Sequence, residues 1–149
     1  MRRLALITCA FGCLAILFGA PALAGGQLHV VTSEQVLIGA STGTFTFSGD
    51  VSDGGFFTFD SFFSAGPPAF FQSTEHVIQT YHGGAGTLTV EKQCLSVFIG
   101  GGIFSDTCRA GVIGGTGAYE GEHGGGSCSG VINLLTGIAS QTCDLRLTS

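Results

Sequence analysis

Cys94-Leu-Ser-Val-Phe-Ile-Gly100-Gly-Gly-Ile-Phe-Ser-Asp-Thr-Cys108 reads as a β-hairpin closed by its own two ends. Two runs rich in β-branched and aromatic residues flank three glycines, which take tight-turn conformations at no steric cost. Folded about Gly101, the segment sets Phe98 against Phe104, Ile99 against Ile103 and Cys94 against Cys108. Directly opposed cysteines in a non-hydrogen-bonded antiparallel pair lie close to disulfide distance.

The arrangement recurs downstream. With a turn near Leu135-Thr136-Gly137, Cys128 falls opposite Cys143 to within a residue. The spacing therefore predicts Cys94–Cys108 and Cys128–Cys143, with cross-pairing between the hairpins or free thiols as the alternatives. A four-cysteine zinc site is disfavoured, because no CxxC occurs.

Upstream the signal is again period two. Strands are predicted over Val30–Ile38, Thr42–Ser48, Phe56–Phe63, Phe70–Tyr81, Thr87–Ile99, Ile103–Ile113, Gly126–Leu134 and Ile138–Leu147. Asp53-Gly54 marks a two-residue hairpin loop, Pro67-Pro68 a break in any ladder, and Gly83 to Gly86 a turn. Glycine supplies 26 of 149 residues against a usual ~7%, yet Phe, Val, Ile and Leu are plentiful enough for a core. Eight strands with short connections predict an all-β fold. A closed eight-stranded antiparallel barrel leaves no exposed edge, and a β-sandwich is the alternative.

The N-terminus reads differently. Arg2 and Arg3 precede an apolar run, Leu4 to Phe18, of about 15 residues, short of the about 20 that cross a bilayer. Pro21 and Ala22-Leu23-Ala24 then form a signal-peptidase site. Residues 1–24 are expected to be a signal peptide and residues 25–149 a single domain, secreted or periplasmic, with no retained membrane anchor. Without Arg2 and Arg3 the only cations are Lys92, Arg109 and Arg146, against ten acidic residues. So few cations cannot build a nucleic-acid surface.

Gly111-Val-Ile-Gly114-Gly115-Thr-Gly117-Ala-Tyr119-Glu-Gly121, followed by His123-Gly-Gly-Gly, resembles the GGTGxYxGxxG loop of the allene oxide cyclase–like and dirigent-like barrels, small secreted bacterial relatives included. Gly86-Thr-Leu-Thr-Val resembles the strand that leads into that loop. The resemblance covers residues 84–130 and implies an eight-stranded barrel that shapes a reactive guest, by cyclising a fatty-acid epoxide or steering phenoxy-radical coupling. The paired cysteines depart from the pattern, and no catalytic residue aligns.

No other motif carries chemistry. A phosphate-binding GxGxxG fails because Glu120 stands where glycine is needed. The glycine loop reads as structural, with Tyr119 as a plug. Asp50 and Asp53 flank a turn, and His29, His76, His82 and His123 have no ligand spacing. Neither a metal nor a cofactor is expected. With a two-residue loop at Asp53-Gly54, Phe47 pairs with Asp60 and Phe45 with Phe62. Asp60 would then lie among Phe45, Phe47, Phe56 and Phe62 as a carboxyl of raised pKa in an apolar pocket. The expected role is binding a small apolar or aromatic molecule. A cyclase- or dirigent-like enzyme and a structural or surface-interaction protein are the alternatives, and the oligomeric state is not specified.

Overall fold

A computed structural model describes residues 26–66 and 71–149. The expected signal peptide and the Pro67-Pro68 break lie outside the described residues. Eight strands run in chain order: β1 (Leu28–Leu37), β2 (Thr42–Gly49), β3 (Asp53–Ala65), β4 (Gln72–Gly83), β5 (Thr87–Gly100), β6 (Ile103–Gly115), β7 (His123–Asn133) and β8 (Ile138–Thr148). Each pairs antiparallel with the next, and β1 pairs with β8, so the sheet closes into a barrel rather than a sandwich.

Alternation assigns the two faces. Val30, Thr32 and Glu34 of β1, Phe45 and Phe47 of β2 and Cys143, Leu145 and Leu147 of β8 are buried. Between them lie exposed Thr44, Thr46, Thr142, Asp144 and Arg146. On β2 and β8 this order is polar outside and apolar inside, while β1 also buries the polar Thr32 and Glu34. No described helix is long and apolar enough to cross a membrane.

The four cysteines form a belt across β5 to β8. Both expected disulfides are present, Cys94–Cys108 and Cys128–Cys143, and such bonds form in oxidising surroundings. Cys108 also faces Cys128 across β6 and β7, so register alone does not choose the partners. Separation does. The bonded pairs have Cα–Cα distances of 4.0 and 3.9 Å, the close, non-hydrogen-bonded kind of opposition. The backbone of Cys108 then points its N–H and C=O to β7, which makes Cys108/Cys128 the wider, hydrogen-bonded kind, about 5.5 Å apart.

Two expectations about register are corrected. The β2–β3 turn is not Asp53-Gly54 but Asp50 to Ser52, so Phe47 pairs with Asp53 and Phe45 with Gly55, not with Asp60 and Phe62. The reason is local. The Asp50 carboxylate accepts the His29 N–H at 2.8 Å, which anchors the turn there. Asp53 is claimed by other partners at the end of the barrel. In the Cys94 hairpin, a bulge sets Gly100 rather than Ile99 against Ile103, while Phe98 faces Phe104 as expected.

The end of the barrel that holds the β2–β3, β4–β5 and β6–β7 connections is closed. Tyr119, in a single 3-10 turn (Gly117–Tyr119), is 1% exposed and plugs it. Its hydroxyl donates to Asp53 Oδ2 at 3.0 Å. The same carboxylate accepts the N–H groups of Gly54, Gly84 and Ala85 at 2.8–3.2 Å. Burial works to raise the pKa of Asp53, but these four donors together hold it below the usual carboxylate value. Gly117 permits the loop: its φ is +64°, and a side chain there would run into the Ala85 carbonyl. Behind the plug, Phe45, Phe47 and Tyr81 pack with ring centroids 4.5–5.2 Å apart, at tilted and edge-on angles that suit aromatic pairs.

Candidate functional site

The other half of the barrel is hollow. A cavity of about 460 Å³ opens at the end that holds the β1–β2 and β7–β8 turns. Its walls are apolar: Val36 from β1, Phe57, Phe59 and Phe62 from β3, Val77 from β4 and Ile132 from β7. The three phenylalanines share this wall because of a bulge. Phe59 pairs with Gln79 but Ser61 with Ile78, so the inward parity of β3 switches from odd to even residues at Asp60. Phe57 and Phe59 meet edge-on at 5.4 Å, and Phe59 and Phe62 lie 6.3 Å apart. Of the residues that line the cavity, Leu37, Ile38 and Phe62 are exposed.

The floor is charged. Glu34 and Lys92, 6% and 2% exposed, form an ion pair with Lys92 Nζ donating to Oε1 at 2.7 Å and to Oε2 at 2.9 Å. The third Lys92 hydrogen bond goes to Gln141 Oε1 at 2.7 Å. Glu34 also accepts from the Tyr81 hydroxyl, from Gln79 Nε2 at 2.9 Å and from Thr32 Oγ1 at 3.3 Å. Burial raises the pKa of the Tyr81 hydroxyl well above normal, and the Glu34 charge adds to it. Burial lowers that of Lys92, while Glu34 opposes the shift.

Two more carboxyls line the cavity near this pair, Asp106 and Glu75, and among the described residues no cation bonds to either. Gln141 Nε2 donates to Asp106 Oδ2 at 2.7 Å. Ser96 Oγ lies 3.0 Å from Asp106 Oδ1 and 3.1 Å from Glu75 Oε1, and Ser73 Oγ donates to the same Glu75 oxygen at 3.3 Å. Burial raises the pKa of both acids. The Asp106 charge pushes Glu75 higher, while for Asp106 the Ser96 and Gln141 hydrogen bonds and Lys92 partly oppose the rise. A serine hydroxyl has one proton. Both Ser96 contacts are hydrogen bonds only when one of the two carboxyls is itself protonated, so the trio is arranged to share a proton.

The residues expected to form the pocket are not brought together. Asp60 sits on the outer surface at the bulge, where it accepts from Thr58 Oγ1 at 3.1 Å and Thr80 Oγ1 at 2.5 Å. Phe56 is also outside, stacked on His82 at 4.7 Å. Phe45 and Phe47 are buried in the closed half. Only Phe62 lines the cavity. A carboxyl of raised pKa in an apolar pocket does exist, but it is Asp106 with Glu75.

The four histidines stay apart: His29 pairs with Asp144 and His76 with Glu91 on the outer wall. Among the described residues, the one group with metal-ligand proximity is Cys94, Asp106 and Cys108. Its sulfurs are joined in a disulfide and offer no thiolate. Neither family models, nor curated proteins, nor solved structures give a match to this chain.

Proposed function

We propose that this protein is an exported barrel that binds one small, largely apolar molecule in its open half. The observation that carries this reading is the cavity of about 460 Å³ with apolar walls and a polar floor. Small-molecule sites of roughly 300–1,000 Å³ have this composition, with a few polar groups that fix orientation. A barrel serving only as structure would fill its interior with side chains, as the closed half does here. The expected signal peptide and the two disulfides fit export. The GGTGAYEG loop supports kinship with the allene oxide cyclase–like and dirigent-like barrels, and here it plugs one end.

The test is native mass spectrometry of the unreduced protein from its own host, beside Ala139→Phe, which places a ring in the cavity. A co-purifying small molecule that the variant lacks supports the reading. Wild type and variant both empty, with neither taking up apolar dyes from solution, would overturn it.

A second reading, an enzyme that handles a reactive guest, is favoured by Ser96 between Glu75 and Asp106, a pair poised to give and take a proton. Ser96→Ala separates the two. A binder loses little affinity, whereas an enzyme keeps its guest and loses turnover.

A further inference from the structure

The hydrogen-bonding capacity of the cavity floor is already divided. All three Lys92 donors are occupied, two by Glu34 and one by Gln141. Both Glu34 oxygens accept more than one bond. Among the described residues no other cation lines the cavity, and Arg109 and Arg146 are exposed on the outer wall. An anionic guest therefore finds no free donor of positive charge. What remains is acceptor capacity on Glu75 and Asp106. Among the described residues, hydrogen bonds reach only one oxygen of Glu75, Oε1, although the residue lines the cavity.

Charge points the same way. Three carboxyls (Glu34, Glu75 and Asp106) share the floor with one ammonium, and the walls around them are apolar. A low-dielectric site with surplus carboxylate attracts a cation more strongly than water would.

We infer that the guest is a cationic amphiphile: a protonated amine seated on Glu75 and Asp106, its apolar body along Phe57, Phe59 and Phe62 toward the mouth. This rests on the binding reading above and names the chemical class of the guest. Fatty acids and other apolar carboxylates are excluded, because their head group would meet the Glu75–Asp106 pair.

Proton linkage gives the site a signature. A bound ammonium favours the ionised carboxyls, so a proton shared by Glu75 and Asp106 through Ser96 is expelled on binding. The other titratable groups facing them are Glu34 from β1, Tyr81 from β4 and Lys92 from β5. The incoming positive charge also repels the Lys92 proton, and any proton lost from Lys92 goes to solvent and adds to the release. Affinity therefore rises with pH through the raised values of the two acids, and a neutral guest shows no such rise.

The experiment is isothermal titration calorimetry of the oxidised protein with 4-phenylbutylamine, 4-phenylbutanol and 4-phenylbutyrate, at pH 5 in two buffers of different ionisation enthalpy. The amine is expected to bind about ten-fold tighter than the alcohol, the difference between a charged and a neutral hydrogen bond, and to release protons. In Glu75→Gln/Asp106→Asn the preference is expected to collapse and the release to fall. Wild-type proton release needs no variant, so the inference stays testable if the double variant does not fold. An alcohol as tight as the amine, or an acid tighter than both, would overturn the cationic guest while leaving the binding reading intact. If none of the three binds, the binding reading fails and this inference with it.

Discussion

Lys92→Met isolates the energetics of the cavity floor. The substitution keeps most of the side-chain volume and removes three hydrogen bonds of 2.7–2.9 Å. It leaves Glu34, 6% exposed, without its counter-charge. Breaking a buried pair from one side costs about 3–5 kcal/mol, because the remaining charge keeps its desolvation penalty. Against a total stability of about 5–15 kcal/mol this is a large fraction, and at roughly 3 °C per kcal/mol for a chain of this size it lowers Tm by about 10–15 °C. Glu34→Gln strands Lys92 in the same way, without its counter-charge. With both changes no buried charge remains at the centre. The double variant is then expected to be at least ~2 kcal/mol more stable than the sum of the single losses. Urea unfolding of the oxidised protein, run as a four-member cycle, measures this. A Lys92→Met cost below about 1 kcal/mol, or strict additivity, would refute a buried, coupled pair.

Three further outcomes follow from the same geometry. Because the folded pKa values of Asp106 and Glu75 are raised above 3.8 and 4.5, the folded state binds more protons than the unfolded one just above those values. Their contribution is full below them and is lost as pH rises through the folded values. Asp106→Asn is therefore expected to gain stability relative to wild type between pH 3.5 and 7, and chemical denaturation at the two pH values checks the sign. Asp53 behaves oppositely, with a folded pKa below 3.8. The destabilisation caused by Asp53→Asn is largest at neutral pH and shrinks as pH falls below 3.8, whereas Tyr119→Phe costs about 1–2 kcal/mol; a flat Asp53→Asn profile would remove the clamp at the closed end. Each disulfide closes a loop with a sequence separation of 14 or 15, so replacing either pair by alanine is expected to cost about 3 kcal/mol on the chain-entropy estimate. Calorimetry of the two variants reads this directly.

The strands were legible because their alternation is local, and the disulfides because each closes a hairpin with its turn near the middle. The pocket was misplaced for equally specific reasons. Asp53-Gly54 has the composition of a tight turn, but what holds Asp53 is the β4–β5 turn and Tyr119, 31 to 66 residues away. That displacement alone changed every partner of Phe45 and Phe47, and the bulge at Asp60 then put its carboxylate outside. The charged floor was missed because a lone polar residue in an alternating strand reads as facing water. Lys92 and Gln79 both pair inside with Glu34, 58 and 45 residues away, and Lys92 also with Gln141.

A trace of the floor was nonetheless present. Lys92 and Ser96 flank Cys94 at two residues, Asp106 precedes Cys108 by two, and Gln141 precedes Cys143 by two. In a strand, residues two apart share a face, so paired cysteines carry these four side chains to whichever side the disulfides occupy. The two disulfides occupy the inside, where their sulfurs take space that larger apolar side chains would otherwise fill. The same belt that staples β5 to β6 and β7 to β8 thereby fixes the level at which Lys92, Ser96, Asp106 and Gln141 meet. The staple and the cavity floor are one layer of the barrel, so loss of either disulfide is expected to disturb guest recognition as well as stability.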